Sequence, residues 1–450
     1  MLLTGKSKTY HDRLASSTTV SGRSDAYHHF LNVTQPIPED AFPADKLLRA
    51  GQTYHFDFLF VVPEQLLSRA CRHVAPDHVH NAHLKLPPSL GDRAVSGRGD
   101  ELLDDFAPDM ACITYTLTAS LVEADRDDCC TTQSRTIRIL PVVEEQPPIT
   151  IDHPQTDYNS RCEKNVKAGL LKGRLGRLVM EMSQPKSINL PSPHSGDYDA
   201  PSTMATVNLR FDPTEATSSP PRLGTLSGKF KVTTFYATTA RTSIPQRKDI
   251  QWDLHQGFHS HSIALPSRCV AGVEWTHHEH QSYESMSRHN STSSSSSDSR
   301  SSIPAPSSKY RGQGFYTATI LVPITLPTNK SFVPSFHSCI ISRIYSLDMR
   351  LGLHSVTLMA PSLDLEVPIQ VSVAPSPEAQ RRASLVEQQE AMDEMDADDL
   401  FLPHATSFMG DHLVGHGGVG SNLSYGREDS PPQYEAIPQR GVSRGVRVLG

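Results

Sequence analysis

The feature that most constrains the fold is a two-residue alternation of apolar and polar side chains, which recurs along much of the chain. In residues 113–121, isoleucine, tyrosine, leucine and alanine side chains alternate with threonine and serine. Successive side chains of a strand point to opposite faces, so this pattern predicts a strand with one face on a core. The same alternation predicts strands at 54–62, 136–143, 207–211, 229–236, 316–324, 339–351 and 363–373.

Helical periodicity is nearly absent before residue 380, and turn residues follow one another at close spacing. Many short strands without alternating helices are typical of antiparallel β-sandwiches. A chain of 450 residues is long enough for two of them. We therefore predict an all-β fold of two antiparallel sandwich domains, at 1–150 and 160–375, with the Pro147-Pro148 pair near the break.

Two residues in the last predicted strands depart from the pattern. Pro368 cannot donate a backbone hydrogen bond, which predicts an edge position or a bulge there. Arg343 interrupts an otherwise apolar face, and two readings stay open: pairing with a buried carboxylate, or extension to the sheet margin.

Two segments are too polar to form a core. Residues 282–308 include a run of five serines and almost no apolar side chain, which predicts a disordered insertion in the second sandwich. Residues 376–450 are predicted to form a disordered tail with an acidic stretch at 385–402, where a transient helix would fit.

Composition narrows the classes of function. A net charge of −7 argues against a nucleic-acid binder, which would need a basic stripe. No run of eighteen apolar residues suits a membrane helix. Seven cysteines at irregular spacing do not form a disulfide framework. We predict a cytoplasmic protein with reduced thiols that carries no cofactor.

Histidines cluster at two places, His277-His278-Glu279-His280 and the group of His73, His80 and His83. Neither cluster has the i, i+4 spacing on a helix that zinc proteases need, and 22 histidines make chance clusters common. Structural or surface roles are therefore favoured, and no metal site is predicted. Cys129 and Cys130 are expected on a loop, without a supported redox role.

The tail contains Pro431-Pro432-Gln433-Tyr434, a Pro-Pro-x-Tyr motif. Two prolines hold the backbone near polyproline II, so a groove with aromatic ridges can take the prolines and a neighbouring pocket the phenol. WW domains recognise this arrangement through Pro431, Pro432 and Tyr434; the alternative is a plain linker.

The tail also carries a candidate phosphorylation site. Upstream of the first motif, Arg381-Arg382-Ala383-Ser384 suits a basophilic kinase, which makes Ser384 the candidate.

Scattered motifs on both sides of the predicted break resemble one family. They are Leu48-Arg49-Ala50-Gly51-Gln52-Thr53-Tyr54-His55-Phe56-Asp57-Phe58, Val62-Pro63-Glu64-Gln65-Leu66-Leu67, His83-Leu84-Lys85-Leu86-Pro87-Pro88-Ser89-Leu90-Gly91-Asp92, Pro334-Ser335-Phe336-His337-Ser338-Cys339-Ile340-Ile341-Ser342-Arg343-Ile344-Tyr345 and Leu365-Glu366-Val367-Pro368-Ile369. With these the chain resembles the α-arrestins, the arrestin-related trafficking adaptors, and in particular the fungal arrestin-like proteins.

This resemblance implies an arrestin fold and an adaptor function. Such adaptors bind plasma-membrane transporters or receptors and bring a WW-domain HECT-type ubiquitin ligase through Pro-Pro-x-Tyr motifs, so that the cargo is ubiquitinated and internalised or sorted. It further implies recruitment from the cytoplasm to the plasma membrane or endosomes, with membrane association only through cargo. Compared with the family, the chain is expected to begin after the first strands of the N-terminal sandwich, which predicts unpaired sheet edges or a truncated sequence.

Two other classes of function remain as alternatives. One is a β-sandwich scaffold in vesicle sorting or signalling that uses no ligase. The other, an enzyme, is the weakest of the three, and no Walker-type phosphate loop is present. The chain is therefore predicted not to be an enzyme.

Overall fold

The computed structural model describes residues 1–385 apart from 14–21, 46, 50, 99–100, 123–128, 150–155, 168–172, 193–198, 251–252, 280–302, 313, 355–360, 377 and 383. The predicted all-β class is confirmed, because strands in several antiparallel sheets, in a sandwich-like arrangement, are the main regular structure of the described chain. The strands in chain order are β1 Leu2–Arg13, β2 Gly22–Thr34, β3 Gly97–Arg98, β4 Glu101–Leu102, β5 Ala111–Val122, β6 Cys129–Ile137, β7 Arg161–Lys167, β8 Arg174–Met182, β9 Ile188–Leu190, β10 Ser202–Pro213, β11 Leu223–Ala237, β12 Gln256–Cys269, β13 Thr276–His278, β14 Phe315–Thr325, β15 Phe336–His337, β16 Ile341–Leu353, β17 Ser362–Ile369 and β18 Val371–Val373.

Helical structure is short and local. In the described residues the helices are α1 Asp77–Leu84 and α2 Arg247–Ile250, with 3-10 turns at Glu39–Ala41 and Ser68–Ala70 and further helical residues at 378–382 and 384–385. Helix α1 follows Pro76 and has Asp77 in its first turn, where a carboxylate is favoured by the helix dipole. Alternation of apolar residues did not predict this helix, and it matters for the site described below.

The second half of the chain forms a two-sheet sandwich. One sheet has the strand order β13-β14-β10-β8-β7, and the other has the order β12-β11-β16-β15, with β17 also paired to β16. Their inner faces share one core, in which Phe230, Leu209, Leu347 and Leu365 are almost fully buried. The alternation that predicted strands at 207–211, 229–236 and 316–324 corresponds here to β10, β11 and β14.

The first half contains one four-stranded antiparallel sheet, of order β2-β1-β5-β6. Its packing is close: a Cβ added at Gly5 would meet the Phe30 ring at 2.5 Å. The core on this sheet is completed partly by residues of the second half, among them Tyr236, Phe336 and Ile341. The first sheet and the start of β16 therefore share one apolar cluster.

Three local predictions about strands are wrong. Residues 54–62 lie outside the strands, and Leu59 and Val61 are mostly exposed. An alternating sequence determines which side chains share a face, but a strand also needs a neighbouring strand for its backbone hydrogen bonds, and alternation does not provide one. The strand predicted at 136–143 instead ends at Ile137, and Cys129 and Cys130 open β6 rather than lying on a loop.

Two of the three buried arginines in the described second half, Arg343 and Arg210, bind oxygen atoms deep in the fold. Arg343 is fully buried, and its Nη1 donates to the backbone oxygen of Asp105 at 2.9 Å, so it meets a carbonyl rather than a carboxylate. Arg210 donates from Nε to Asp212 at 2.8 Å and lies over the Phe315 ring. Desolvating a guanidinium is costly, and these partners offset part of that cost.

The end of the predicted disordered insertion is a folded segment. Within 303–308, the Pro304 oxygen accepts a hydrogen bond from Arg210 at 3.2 Å, and the Ser307 backbone N–H donates to Asp212 at 2.7 Å. The prediction of disorder up to residue 308 is therefore wrong for its last six residues, because polar composition did not reveal these buried partners. Residues 280–302 lie outside the described part of the chain.

Pro368 lies on β17, where it stands opposite Ser346 of β16. In the described residues the continuous ladder of β17 is with β16 alone, and its other side makes an isolated bridge between Glu366 and Asn159. A proline fits there because its missing N–H faces away from the ladder. The edge position expected for Pro368 is thus confirmed.

Candidate functional site

Four metal-binding side chains from distant parts of the sequence meet beside the first sheet. They are Cys71, His73, His83 and Cys339, and one candidate ligand atom of each lies within 4.8 Å of the others. Three of these residues are buried and His73 is half-buried. We call this group the Cys–His cluster.

Three ligands come from a short segment around α1. Cys71 directly follows the 3-10 turn Ser68–Ala70, His73 comes two residues later, and His83 lies in the last turn of α1. The segment is fixed at both ends, because the Leu66 N–H donates to the Leu84 oxygen at 2.7 Å and the Leu86 N–H to the Glu64 oxygen at 3.3 Å. The spacing of these three ligands is therefore set by the backbone.

The fourth ligand comes from the turn between β15 and β16. Ser338 holds this turn through its hydroxyl, which accepts from the Ile341 N–H at 3.2 Å. The Arg241 N–H donates to the Cys339 oxygen at 2.9 Å, and the Ala237 N–H donates to the Ile340 oxygen at the same distance. Cys339 is thus attached to the second half of the chain, and the cluster lies where the two halves meet.

Distances within the cluster are those of atoms in contact. Cys71 Sγ lies 3.6 Å from His73 Nδ1 and 3.7 Å from His83 Nδ1. The two imidazole rings have their centroids 5.3 Å apart. A sulfur and a nitrogen bound to one tetrahedral zinc ion, at about 2.3 and 2.0 Å, stand about 3.5 Å apart.

Burial sets the protonation of these groups when no ion is bound. It lowers the pKa of His83 to about 3, helped by the nearby His73 ring, so the imidazole is neutral and has a free lone pair. Burial also raises the pKa of Cys339 to about 12, with Cys71 adding to the effect. The pKa of Cys71 is raised by burial as well, although Cys339 acts in the opposite direction. Both sulfurs are therefore thiols in the metal-free protein.

Several other basic side chains surround the cluster. His28 is hydrogen-bonded through Nε2 to the Ala70 oxygen at 2.7 Å. His337 is half-buried, and desolvation lowers its pKa to about 4, with Arg241 as the second cause. Arg241 is itself buried and donates to Gln256 and Ser342. Of these groups Arg241 lowers the pKa of the Cys339 thiol, but burial raises it by more.

The sequence-based candidates fall into three groups. His73 and His83 lie in the cluster, whereas His80 is outside it. His277 and His278 lie on β13, where the His278 ring stacks on Phe315 and its Nε2 contacts the Thr317 hydroxyl at 2.8 Å. The absence of a metal site stays a prediction, but the reasoning behind it considered neither Cys71 nor Cys339.

Ser384 is the one tail candidate that the structure describes. It is exposed and lies in a helical turn, where its hydroxyl donates to the Gln380 oxygen at 2.9 Å. Pro431, Pro432 and Tyr434 fall outside the described residues.

Two glycine patterns in the same part of the sequence, Gly415–Gly420 and Gly441–Gly445, match the letters of a dinucleotide fingerprint and a nucleophile elbow. Such letters have chemical meaning only between a strand and a helix.

None of the helices in the described residues is long and apolar enough to cross a membrane. Comparison with known proteins gave no match, either to a protein-family model or to a curated protein. The resemblance to α-arrestins therefore stays a prediction from the motifs quoted above, and the function below is argued from the chain itself.

Proposed function

We propose that this chain is an adaptor that links membrane cargo to a WW-domain HECT-type ubiquitin ligase. In this proposal the β-sheet body binds a transporter or receptor, and Pro431, Pro432 and Tyr434 bind the ligase. The ligase then ubiquitinates the cargo, which is internalised or sorted. The protein would work from the cytoplasm, reach the plasma membrane or endosomes through its cargo, and bind no nucleic acid.

The observation that supports the proposal is the division of the chain into two units. Met1–Leu385 forms one unit and Val386–Gly450 the other. The Pro-Pro-x-Tyr motif belongs to the second unit, whereas the sheets, the arrestin-like motifs and the Cys–His cluster belong to the first. A binding motif separate from the sheet body is what an adaptor with two partners requires.

The energetics of the motif explain why a body is needed as well. A contact of four residues buries little area, so one motif should bind one WW domain weakly. Cargo held by the body on the membrane that carries the ligase raises the effective concentration of the motif. Recruitment then depends on both modules, and loss of either one should abolish cargo ubiquitination.

The test compares two variants that each lose one tyrosine ring, one inside the Pro-Pro-x-Tyr motif and one outside it. Tyr434→Ala should release the full chain from an array of WW domains and abolish cargo ubiquitination in cells, while cargo binding stays intact. Tyr425→Ala, in the same unit but outside the motif, is the matched control and should leave both unchanged. Unchanged cargo ubiquitination in the Tyr434→Ala protein, with no second WW ligand in the complex, would contradict the proposal.

The alternative is a scaffold in vesicle trafficking or signalling that uses no ligase. It would be favoured if neither tyrosine variant changed binding to WW domains while cargo sorting still required the β-sheet body. Pull-down and sorting assays on the same two variants distinguish the two functions.

A further inference from the structure

We propose that Cys71, His73, His83 and Cys339 bind a zinc ion that joins the two halves of the β-sheet body. The site would be structural, with two thiolates and two imidazoles around one ion. It is separate from the ligase-binding motif and does not depend on the adaptor proposal.

The ligand set matches the preference of zinc. Sulfur and imidazole ligands in equal number are typical of tetrahedral structural zinc sites. Cys71 Sγ lies at 3.6 and 3.7 Å from nitrogens of His73 and His83, close to the separation of about 3.5 Å that a tetrahedral zinc ion imposes on sulfur and nitrogen ligands. All four candidate ligand atoms lie within 4.8 Å of one another. Cys71 Sγ is nearly equidistant from both nitrogens of His73, so that ring has to turn before one nitrogen points at the ion.

Zinc binding also resolves an unfavourable feature of the metal-free cluster. The thiols of Cys71 and Cys339 are buried, and a thiol is a weak hydrogen-bond donor and acceptor. When zinc binds, each thiol loses its proton to solvent as its Zn–S bond forms, and no group is oxidised or reduced. Two thiolates balance the charge of the ion, so the buried site becomes neutral.

The position of the ligands indicates the role of the ion. Cys71, His73 and His83 lie on the segment that covers the first sheet, and Cys339 lies on the turn before β16. Four protein ligands leave no open position for water or substrate, which excludes hydrolytic chemistry at the ion. A bridge between residues so distant in sequence restricts the unfolded chain and fixes α1 against the turn.

The first experiment measures metal binding by the full chain, purified under reducing conditions. We expect one zinc ion per chain by elemental analysis and, after exchange into Co²⁺, the sulfur-to-cobalt charge-transfer absorption of a tetrahedral site with thiolates. A wild-type chain that stays metal-free when mixed with stoichiometric Zn²⁺, or a cobalt complex without thiolate absorption, would overturn the proposal.

Matched substitutions then assign the ligands. His83→Ala should weaken zinc binding by more than about 100-fold, because loss of even a partner outside the ligand shell costs about 10- to 100-fold. His80→Ala, on the same helix but outside the cluster, should bind like the wild type. In the same way Cys339→Ser should remove one sulfur from the cobalt spectrum, and Cys112→Ser should leave it unchanged. Equal zinc binding by His83→Ala and His80→Ala would contradict the assignment.

A further measurement uses only the wild-type chain, so its result does not depend on whether a variant folds. In the wild-type chain, zinc should slow alkylation of Cys71 and Cys339, read by mass spectrometry, without slowing alkylation of the exposed Cys269. Equal alkylation rates with and without zinc would contradict the proposal. A Cys71–Cys339 disulfide recovered from the reduced preparation would also overturn it, since the same sulfurs cannot then bind the ion.

Discussion

The two halves of the β-sheet body build their cores in different ways. In the second half, two sheets face each other and nearly all the residues of their shared core come from residue 166 onward, with Phe106 as the exception from the first half. In the first half, one sheet packs against irregular segments and against Tyr236, Val333, Phe336, Ile340 and Ile341 of the second half. The first half thus depends on the second for its core, whereas the second half is nearly self-sufficient.

The difference shows how short segments can replace a missing layer. The apolar face of a single sheet must be buried against other structure, and here α1, its flanking turns and the start of β16 pack against it. Such segments bury less apolar area than a second sheet, so local bonds gain importance. Tyr115, for example, is fully buried and donates its hydroxyl to the Pro87 oxygen, which fixes the covering segment to β5.

The largest effect is expected when the two halves are separated into fragments, which tests whether the first half depends on the second for its core. A fragment of residues 156–375 should unfold cooperatively, because it keeps both sheets that enclose its core. A fragment of residues 1–145 should lack a cooperative transition, because the residues that complete its core are gone. Thermal unfolding followed by near-ultraviolet circular dichroism measures both, with the full chain as reference. Cooperative unfolding of the 1–145 fragment would show that the dependence is absent.

A pair of ring deletions sharpens the comparison within the intact chain. Phe230→Ala should lower the free energy of unfolding by about 3–5 kcal/mol, since Phe230 is fully buried and stacks on Tyr345 with centroids 5.4 Å apart. Phe30→Ala removes a ring of the same size from the first sheet. It should raise amide exchange in β1 and β5 while β11 and β16 keep their protection.

Hydrogen exchange by mass spectrometry reads each strand separately, and denaturant unfolding gives the free energies. Loss of protection in β11 and β16 of the Phe30→Ala protein, equal to that in β1, would mean that the halves unfold as one unit.

The smallest effect is expected outside both cores, at Ser384. Because this side chain is exposed, Ser384→Asp should change the free energy of unfolding by less than about 0.5 kcal/mol. Phosphorylation there would add charge beside Arg381 and Arg382, and we expect it to alter partner binding without altering the sheets. Thermal unfolding and pull-down of partners measure the two effects. A Ser384→Ala protein that is regulated normally in cells would contradict this role.

Alternation in the sequence predicted β10, β11, β14, β16 and β17 of the second half, because strands buried on one face by a facing sheet carry that pattern directly, but it did not predict β7, β8 or β12. Val207, Leu209 and Phe211 were expected on one face of a strand, and all three are fully buried in β10. The same reasoning failed at 54–62. There the alternation persists, but no neighbouring strand pairs with the segment in the described residues.

The Cys–His cluster could not be predicted from spacing. His73 and His83 stood out as histidines, but Cys71 looked like one of several irregular cysteines and Cys339 like a core residue of a strand. Their meeting depends on how β16 starts beside the first sheet, which is a tertiary property. A search that combined cysteines with the histidine group, rather than treating each type alone, would have included three of the four ligands.

The segment between β13 and β14 has a consequence for how the chain can change. On its N-terminal side, the His278 ring stacks on the Phe315 ring. On its C-terminal side, Pro304 is hydrogen-bonded to Arg210, and Ser307 is hydrogen-bonded to Asp212. Since each flank has its own attachment, the residues between them can be lengthened or shortened at a small entropic cost that grows only with the logarithm of length. We therefore expect both flanks to keep their attachments when an epitope or a fluorescent domain is inserted between them.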